Sequence, residues 1–474
     1  VADDASRLVV VTAPKTFAIR TFGCQMNEHD TERLAGLMQA QGMVPATSEN
    51  DADVVIFNTC TIRENADLKL YSALGHLKAV KERRPGMQIA VGGCMAQKDR
   101  GQILERAEWV DVVFGTHNLA QAPALLARAA IEGPIVDVWD APDPEANRDM
   151  APALYAVREL PWAAWMTIQT GCDNTCAYCI VPSVRGEEIS RPMDDLIREA
   201  EMLAASGVTE ITVLGQNVNS YGRDLTKRAP LFADLLRALG DVDGIERIRF
   251  TSPHPKDLRE ETIAAMAEVS AVCPQLHLPL QSGSNRVLQA MRRGYTTERY
   301  MERLAAARAA IPDLHVTTDL IVGFPGETDA EFDESLAVIA QGDFDSAYTF
   351  IFSPREGTRA AAMVEDFVDD AVVSERFARL KEVLDRSALR KHTAREGRRE
   401  EVLVEGPSRR NELAISGRTR QGKLVHFPVP DGGVRPGSLV EVDITHGAPY
   451  HLLGTHVSTL RGPKHKVRLP LLSS

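Results

Sequence analysis

With 474 residues, 44% of them apolar, the chain is long enough to bury two or three separate cores, which excludes a small scaffold that needs disulfides. No run approaches the roughly 18 uninterrupted apolar residues of a membrane span, and Val1 to Lys15 lacks a basic segment followed by an apolar one, so a soluble cytoplasmic protein is expected. The net charge of −12 argues against nucleic acid for the bulk of the chain, yet Arg386 to Arg468 hold 16 Lys and Arg against 8 Asp and Glu, leaving 38 against 58 elsewhere.

Up to about residue 135, short apolar runs alternate with amphipathic stretches, the pattern of a parallel sheet covered by helices. Strands are expected at 16–21, 53–58, 87–91 and 110–114. Helices are expected at 31–41, stopped by Gly42, and 66–84, stopped by Pro85-Gly86. Cys24, Cys60 and Cys94 each fall just past one of the first three strands, so all three emerge at the carboxyl edge, where open α/β sheets bind ligands. Gly23 and Gly93 permit tight turns and close approach to a bulky group. The plainer alternative is three buried thiols at strand ends; their shared edge favours a three-cysteine cluster site. Residues 137–152, with Pro142, Pro144 and Pro152 among acidic residues, read as a linker.

A second alternating block runs from about Trp162 to about Arg390, with strands near 163–169, 210–215, 247–251, 275–278, 315–322 and 346–352. Six strand-helix units suggest a partial barrel; a doubly wound sheet has the same periodicity. Past the charged helical stretch 377–395 the pattern changes to short β-type runs at 401–405, 413–415, 424–427 and 439–444, punctuated by Gly406-Pro407, Asp431-Gly432-Gly433 and Pro436-Gly437. That is a small all-β module of a size common among oligonucleotide binders.

The sharpest signal is Gly171-Cys172-Asp173-Asn174-Thr175-Cys176-Ala177-Tyr178-Cys179. This spacing lets one loop wrap three corners of a four-iron, four-sulfur cube and leaves the fourth iron open. A zinc site or three unrelated thiols are the alternatives; zinc normally takes four Cys or His ligands, and a fourth is missing nearby. The loop follows a strand, so it sits at the mouth of the barrel, where such folds keep their active sites. Gln216 and Asn217 end the second barrel strand and can bind cofactor or substrate, or satisfy loop backbone. Gly323 and Gly326 either let backbone approach a bound nucleoside or make a strand-to-helix turn. His254, His277 and Gln281 occupy comparable strand ends and read as structural. Cys273, without a partner spacing, reads as a core thiol.

The cysteine loop resembles that of radical S-adenosylmethionine enzymes. Two three-cysteine sets followed by a β module resemble the methylthiotransferase family across nearly the whole chain. The stretches 21–30 (TFGCQMNEHD), 215–219 (GQNVN), 251–255 (TSPHP) and 278–283 (LPLQSG) look like the branch acting on N(6)-isopentenyladenosine in transfer RNA. Other branches modify threonylcarbamoyladenosine or a ribosomal-protein aspartate, and a rival of another class is a nonenzymatic iron-sulfur RNA-binding sensor.

The resemblance implies an N-terminal cluster domain (15–135), a linker (136–157), a radical barrel of (β/α)6 type (158–394), a TRAM RNA-binding domain (395–460) and a basic tail (461–474). It implies two 4Fe-4S clusters, one on Cys24, Cys60 and Cys94 and a catalytic one on Cys172, Cys176 and Cys179. S-adenosylmethionine would be held with help from Tyr178, which matches an aromatic position before the third cysteine, and from Gln216, Asn217, Gly323 and Gly326. The expected partners are the tRNA anticodon loop, an electron donor and a sulfur donor, with the protein a monomer and no membrane partner.

Overall fold

The computed structural model describes residues 15–61, 64–141, 156–227, 229–408 and 411–465, and divides into one compact unit ending at Val157 and another starting at Arg158. The first unit is built on six parallel strands, β1 (Thr16–Thr21), β2 (Val44–Pro45), β3 (Val54–Thr59), β4 (Gln88–Gly93), β5 (Val112–Phe114) and β6 (Ile135–Asp137), in the order β2-β1-β3-β4-β5-β6. Alternation along β3 sends Val55 and Phe57 into one core, with Leu70, Leu74 and Leu77 of the helix Glu64–Arg83. Val54 and Ile56 enter the other, with Leu34 and Met38 of the helix Gln25–Ala40. Helices on both faces explain why β3 and β4 read as unbroken buried runs.

Two details differ from the sequence reading. The first helix begins at Gln25, six residues before the expected start, because its opening turn buries polar Asn27, His29 and Asp30 and so hides the apolar period. The short outer strands β2 and β6 lacked a pattern long enough to recognise. Of the expected linker, residues 142–155 lie outside the described residues.

The second unit carries a six-stranded parallel barrel wall in two halves. One half holds β7 (Ala163–Thr167), β10 (Glu210–Leu214) and β11 (Arg247–Phe250). The other holds β12 (Gln275–His277), β13 (His315–Val322) and β14 (Ser346–Ile351). A parallel bridge, Ile248 to Val272, joins them, and β8 (Gln169–Thr170) pairs antiparallel with β9 (Ile189–Ser190) beside the wall. Helices Met193–Ala205, Phe232–Gly240, Glu260–Glu268, Thr297–Ala310 and Asp329–Gly342 alternate with these strands; the last starts with a reciprocal Thr328–Glu331 capping box.

The long helix Asp370–Thr393 leads into a closed barrel of β15 (Arg399–Ser408), β16 (Asn411–Thr419), β17 (Leu424–Pro428), β18 (Leu439–Gly447) and β19 (Leu452–Arg461), ordered β15-β16-β17-β19-β18. Strand β19 escaped the sequence reading. Its inward positions include Gly454, where a Cβ would meet Val442 Cγ1 at 2.4 Å, so close packing there replaces an apolar side chain.

The β-barrel is docked on the parallel wall by its basic residues. Arg395 makes two 2.9 Å contacts with Asp313, Lys423 meets Asp345 at 2.8 Å in a fully buried pair, and Lys464 meets Glu246 at 2.9 Å. From the wall, Arg247 and Arg249 donate to the carbonyls of Arg418, Thr419 and Arg420. Much of the positive excess at this end is thus spent on internal carboxylates. Residues 461–465 of the expected basic tail also turn back: Arg461 pairs with Glu246 and the His465 ring lies 5.7 Å from that of Trp162, while residues 466–474 lie outside the described residues.

Candidate active site

The cysteine loop leaves the wall after β7 and is fastened at four points. Gly171 has φ +78°, and a Cβ there would stand 1.8 Å from the Glu187 carbonyl oxygen, so only glycine fits. Cys172 N donates to Gly186 O (3.1 Å), Ala177 N to Met291 O (2.9 Å) and Ala360 N to Ala177 O (2.9 Å). Asp173 accepts from Glu188 N at 2.9 Å. All three thiols line a cavity of about 500 Å³, together with Asn174, Gly186, Thr358 and Arg359. Space on that scale suits a bound small molecule or cluster.

Burial raises the pKa of Cys172 and pushes that of Cys179 up to about 12, so loading the thiols with metal must release protons. Two cationic side chains support the loop from outside: Lys256 Nζ donates to Asn174 Oδ1 (2.6 Å), whose Nδ2 lies 3.5 Å from Cys172 Sγ, and Arg293 Nη1 donates to Cys176 Sγ at 3.2 Å. Neither Lys256 nor Arg293 was found from the sequence. They approach from segments 82 and 117 residues away, and no local motif marks them. Tyr178 packs on Ala177, Val287, Met291, Phe324 and Ala360.

Beside the loop, Asn217 is buried and donates to Asp257 (2.9 Å), which also binds Arg223 (2.7 Å), while the Asn217 carbonyl accepts from Gln169 Nε2 at 2.7 Å. Among the described residues neither Gln216 Oε1 nor Asn217 Oδ1, both buried, has a hydrogen-bond partner. Gly323 and Gly326 both have φ +74°; a Cβ on Gly323 would meet Val373 at 2.5 Å, and Gly326 N and O bind Asp366 O and Arg286. Neither glycine lines the cysteine cavity. His254, held neutral by burial and the Arg293 charge, has its pKa pushed down to about 2, and its Nδ1 accepts from Lys256 N. His277 on β12 contacts Thr317 (2.9 Å) and Asp319 (3.4 Å), and Gln281 joins the wall through its backbone.

In the first unit, register places Thr21 beside Asn58 and Thr59 beside Gly93, so Cys24, Cys60 and Cys94 follow three adjacent parallel strands. Gly23 lies against Cys60: a Cβ there would reach Cys60 Cβ at 2.6 Å and Sγ at 3.1 Å. A Cβ on Gly93 would strike Asn58 Oδ1 and Thr59 O at 2.5 Å. The edge is therefore closed tightly around Cys60. None of the seven cysteines forms a disulfide, and Cys273 is a buried thiol that does not line the cavity of the cysteine loop. Among the described residues, no three His, Cys, Asp or Glu side chains close on a point as ligands of one ion.

Residues 16–115 match the uncharacterized protein family UPF0004, 166–339 the radical SAM superfamily and 393–457 the TRAM domain. A tRNA-2-methylthio-N(6)-dimethylallyladenosine synthase of a Parafrankia species is 52% identical over 94% of this chain and 92% of its own length. One from Streptomyces coelicolor is 51% identical over 93% and 87%. The chain belongs to this family of radical SAM enzymes. Membership implies S-adenosylmethionine and a 4Fe-4S cluster, and three thiols around one cavity are the donor set such a cluster takes. The fold is shared with the radical S-adenosylmethionine methyltransferase TsrM from Kitasatospora setae, with a TM-score of 0.52 at 12% identity over 74% of this chain and 77% of that one. Among the described residues no helix is long and apolar enough to cross a membrane.

Proposed function

We propose that the chain inserts a methylthio group at carbon 2 of N(6)-isopentenyladenosine in the anticodon loop of tRNA, acting as a cytoplasmic monomer with two 4Fe-4S clusters, S-adenosylmethionine, and separate electron and sulfur donors. The domain divisions proposed follow the expected ones, with the first domain extended to Asp137 to include β6 and the TRAM domain to Arg461 to include β19. The observation that carries the reading is the set of three thiols from one loop lining one cavity beside the parallel wall. The names of the half-identical relatives support the substrate.

Cys172, Cys176 and Cys179 would hold a cluster, which with S-adenosylmethionine would supply the one-electron chemistry needed to remove a hydrogen that acid-base chemistry cannot. The chain's own work is positional. Gly171 lets the loop turn against Glu187, Met291 and Ala360 hold its middle, and Asn174 with Lys256 orients Cys172. Gln169 Oε1, Gln216 Oε1 and Asn217 Oδ1, each buried with no hydrogen-bond partner among the described residues, leave acceptors to take up a polar ligand. The second cluster is assigned to Cys24, Cys60 and Cys94. A splayed loop base reaches a barrel mouth that a duplex cannot enter. The β-barrel holds RNA by phosphate contacts, which position without reading sequence. Those contacts draw on exposed pairs such as Arg399–Asp443 rather than the buried Lys423–Asp345.

The test is anaerobic reconstitution followed by dithionite, S-adenosylmethionine and unmodified-at-C2 tRNA. Production of 5′-deoxyadenosine together with 2-methylthio-N(6)-isopentenyladenosine, detected by nucleoside mass spectrometry, is the expected result. Intact S-adenosylmethionine would point to a sensor, and a methylthio group on another target to another branch.

A further inference from the structure

Arg293 is only 6% exposed, and among the described residues no carboxylate pairs with it; the ionisable groups acting on it most strongly are the phenols of Tyr178 and Tyr295 and the Cys176 thiol. Phenols stay neutral near pH 7. A buried cation is costly unless an anion stands beside it, so the anion that matches this one is a metal-bound Cys176 thiolate. The backbone is shaped for that contact. Arg292 (φ +58°) and Gly294 (φ +71°) both adopt left-handed conformations on either side of Arg293, and for Arg292 this is a strained choice that persists only where the surroundings enforce it. The enforcement is visible: Met291 O binds Ala177 N of the cysteine loop, Arg293 N binds Leu288 O, and Arg293 Nε reaches Tyr295 Oη (3.3 Å), itself anchored to Leu280 O (2.7 Å).

We infer that Arg293 is a positioning residue that sets the reduction potential of the cluster on the Cys172–Cys179 loop, through its hydrogen bond to Cys176 Sγ and its fixed buried charge. The inference rests on the reading that this loop holds a cluster. Reduction adds one negative charge to the cluster. A cation at hydrogen-bond distance from a ligand sulfur favours that state, since such potentials respond to net charge, hydrogen bonds to sulfur and exposure. Among the described residues no carboxylate is ion-paired with Arg293, so the ligand sulfur of Cys176 is the anion its charge would meet at hydrogen-bond distance.

The experiment uses the full chain carrying Cys24→Ala, Cys60→Ala and Cys94→Ala, so that one cluster gives the signal. Potentiometric titration followed by electron paramagnetic resonance compares this parent with Arg293→Lys, Arg293→Gln and Arg293→Met. Gln and Met should lower the reduced-to-oxidised ratio at fixed potential at least tenfold, about 59 mV for one electron, with Lys in between. Midpoints of Gln and Met equal to that of the parent overturn the inference. Where Met fails to hold iron, Gln against Lys decides, and equal midpoints again overturn it. A parent without iron instead overturns the cluster reading on which the inference rests.

Discussion

The two cysteine sets are built in opposite ways. In the second unit one loop carries Cys172, Cys176 and Cys179, whereas in the first unit Cys24, Cys60 and Cys94 stand 36 and 34 residues apart on three strands. The loop's donors are neighbours by covalent connection, and folding needs only to pin the loop. The strand-end thiols reach one edge only when β1, β3 and β4 pair in register, so that set, as proposed, is a property of the whole sheet. A local site tolerates changes in its scaffold; a distributed one does not.

The largest expected effect separates the sets outright. Reconstituted protein should hold about eight iron atoms, and Cys172→Ala, Cys176→Ala and Cys179→Ala together should leave about four while abolishing S-adenosylmethionine cleavage. Changing Cys24, Cys60 and Cys94 to Ala should also leave about four iron atoms but retain cleavage and lose methylthio insertion. Iron assay and 5′-deoxyadenosine yield check both, and loss of all iron in either triple variant would merge two sites into one.

Glycines sharpen the comparison next. Gly93→Ala places a Cβ 2.5 Å from Asn58 and Thr59 at φ +91°, and Gly171→Ala places one 1.8 Å from Glu187 at φ +78°. The backbone conformations alone cost roughly 1–3 kcal/mol each, with the clashes in addition. Gly93→Ala should lower the thermal midpoint of the first unit and its iron content together, because the proposed ligands stand where the strand register puts them. Gly171→Ala should lower iron at the loop while the strands of the wall keep their hydrogen-exchange protection.

The same contrast governs what the sequence made legible. The grouping of the loop cysteines could be read because covalent spacing alone keeps the three around one cavity. The strand-end set could also be read, but only through the strands, since β3 and β4 are long buried runs that announce themselves. Contacts between distant segments left no trace: Arg293 meets Cys176 across 117 residues, and Arg461 meets Glu246 across 215. The positive excess of the C-terminal stretch leaves an RNA-facing surface and a solvated one open, because charge composition carries no partner; the fold supplies Asp313, Asp345 and Glu246 as partners for part of it. Gly323 carries two readings in the sequence, backbone approach to a ligand or a strand-to-helix turn, and the fold adds what neither shows: its missing Cβ makes room for Val373.

Acid gives a milder way to strain one unit. Burial pushes the pKa of His315 down to about 3 and of His392 to about 4, both in the second unit where the β-barrel docks beside Asp345 and Lys423. Below the unfolded value near 6.5 the unfolded chain takes up protons that the folded chain refuses until those lower values. Stability is therefore complete above pH 6.5 and falls as pH drops toward 4 and 3. Hydrogen exchange in β15 to β19 should accelerate over that window, and His315→Gln should flatten the dependence. An unchanged profile in that variant would place the acid-sensitive step elsewhere.

The smallest effect concerns the seventh cysteine. Cys273 is 2% exposed, its amide binds Ile248 O next to the bridge that joins the two halves of the wall, and burial raises its thiol pKa despite nearby Arg249. It lies outside the cavity of the loop and belongs to the other unit than the strand-end set. A thiol so placed fills space, as a small apolar side chain does. Cys273→Ala should remove that filling and cost on the order of 1 kcal/mol, the scale of a small large-to-small change in a core. Iron content, cleavage and methylthio insertion should all match the parent protein. A loss of about four iron atoms in this variant would make Cys273 a ligand, and the division into one local and one distributed set would fail with it.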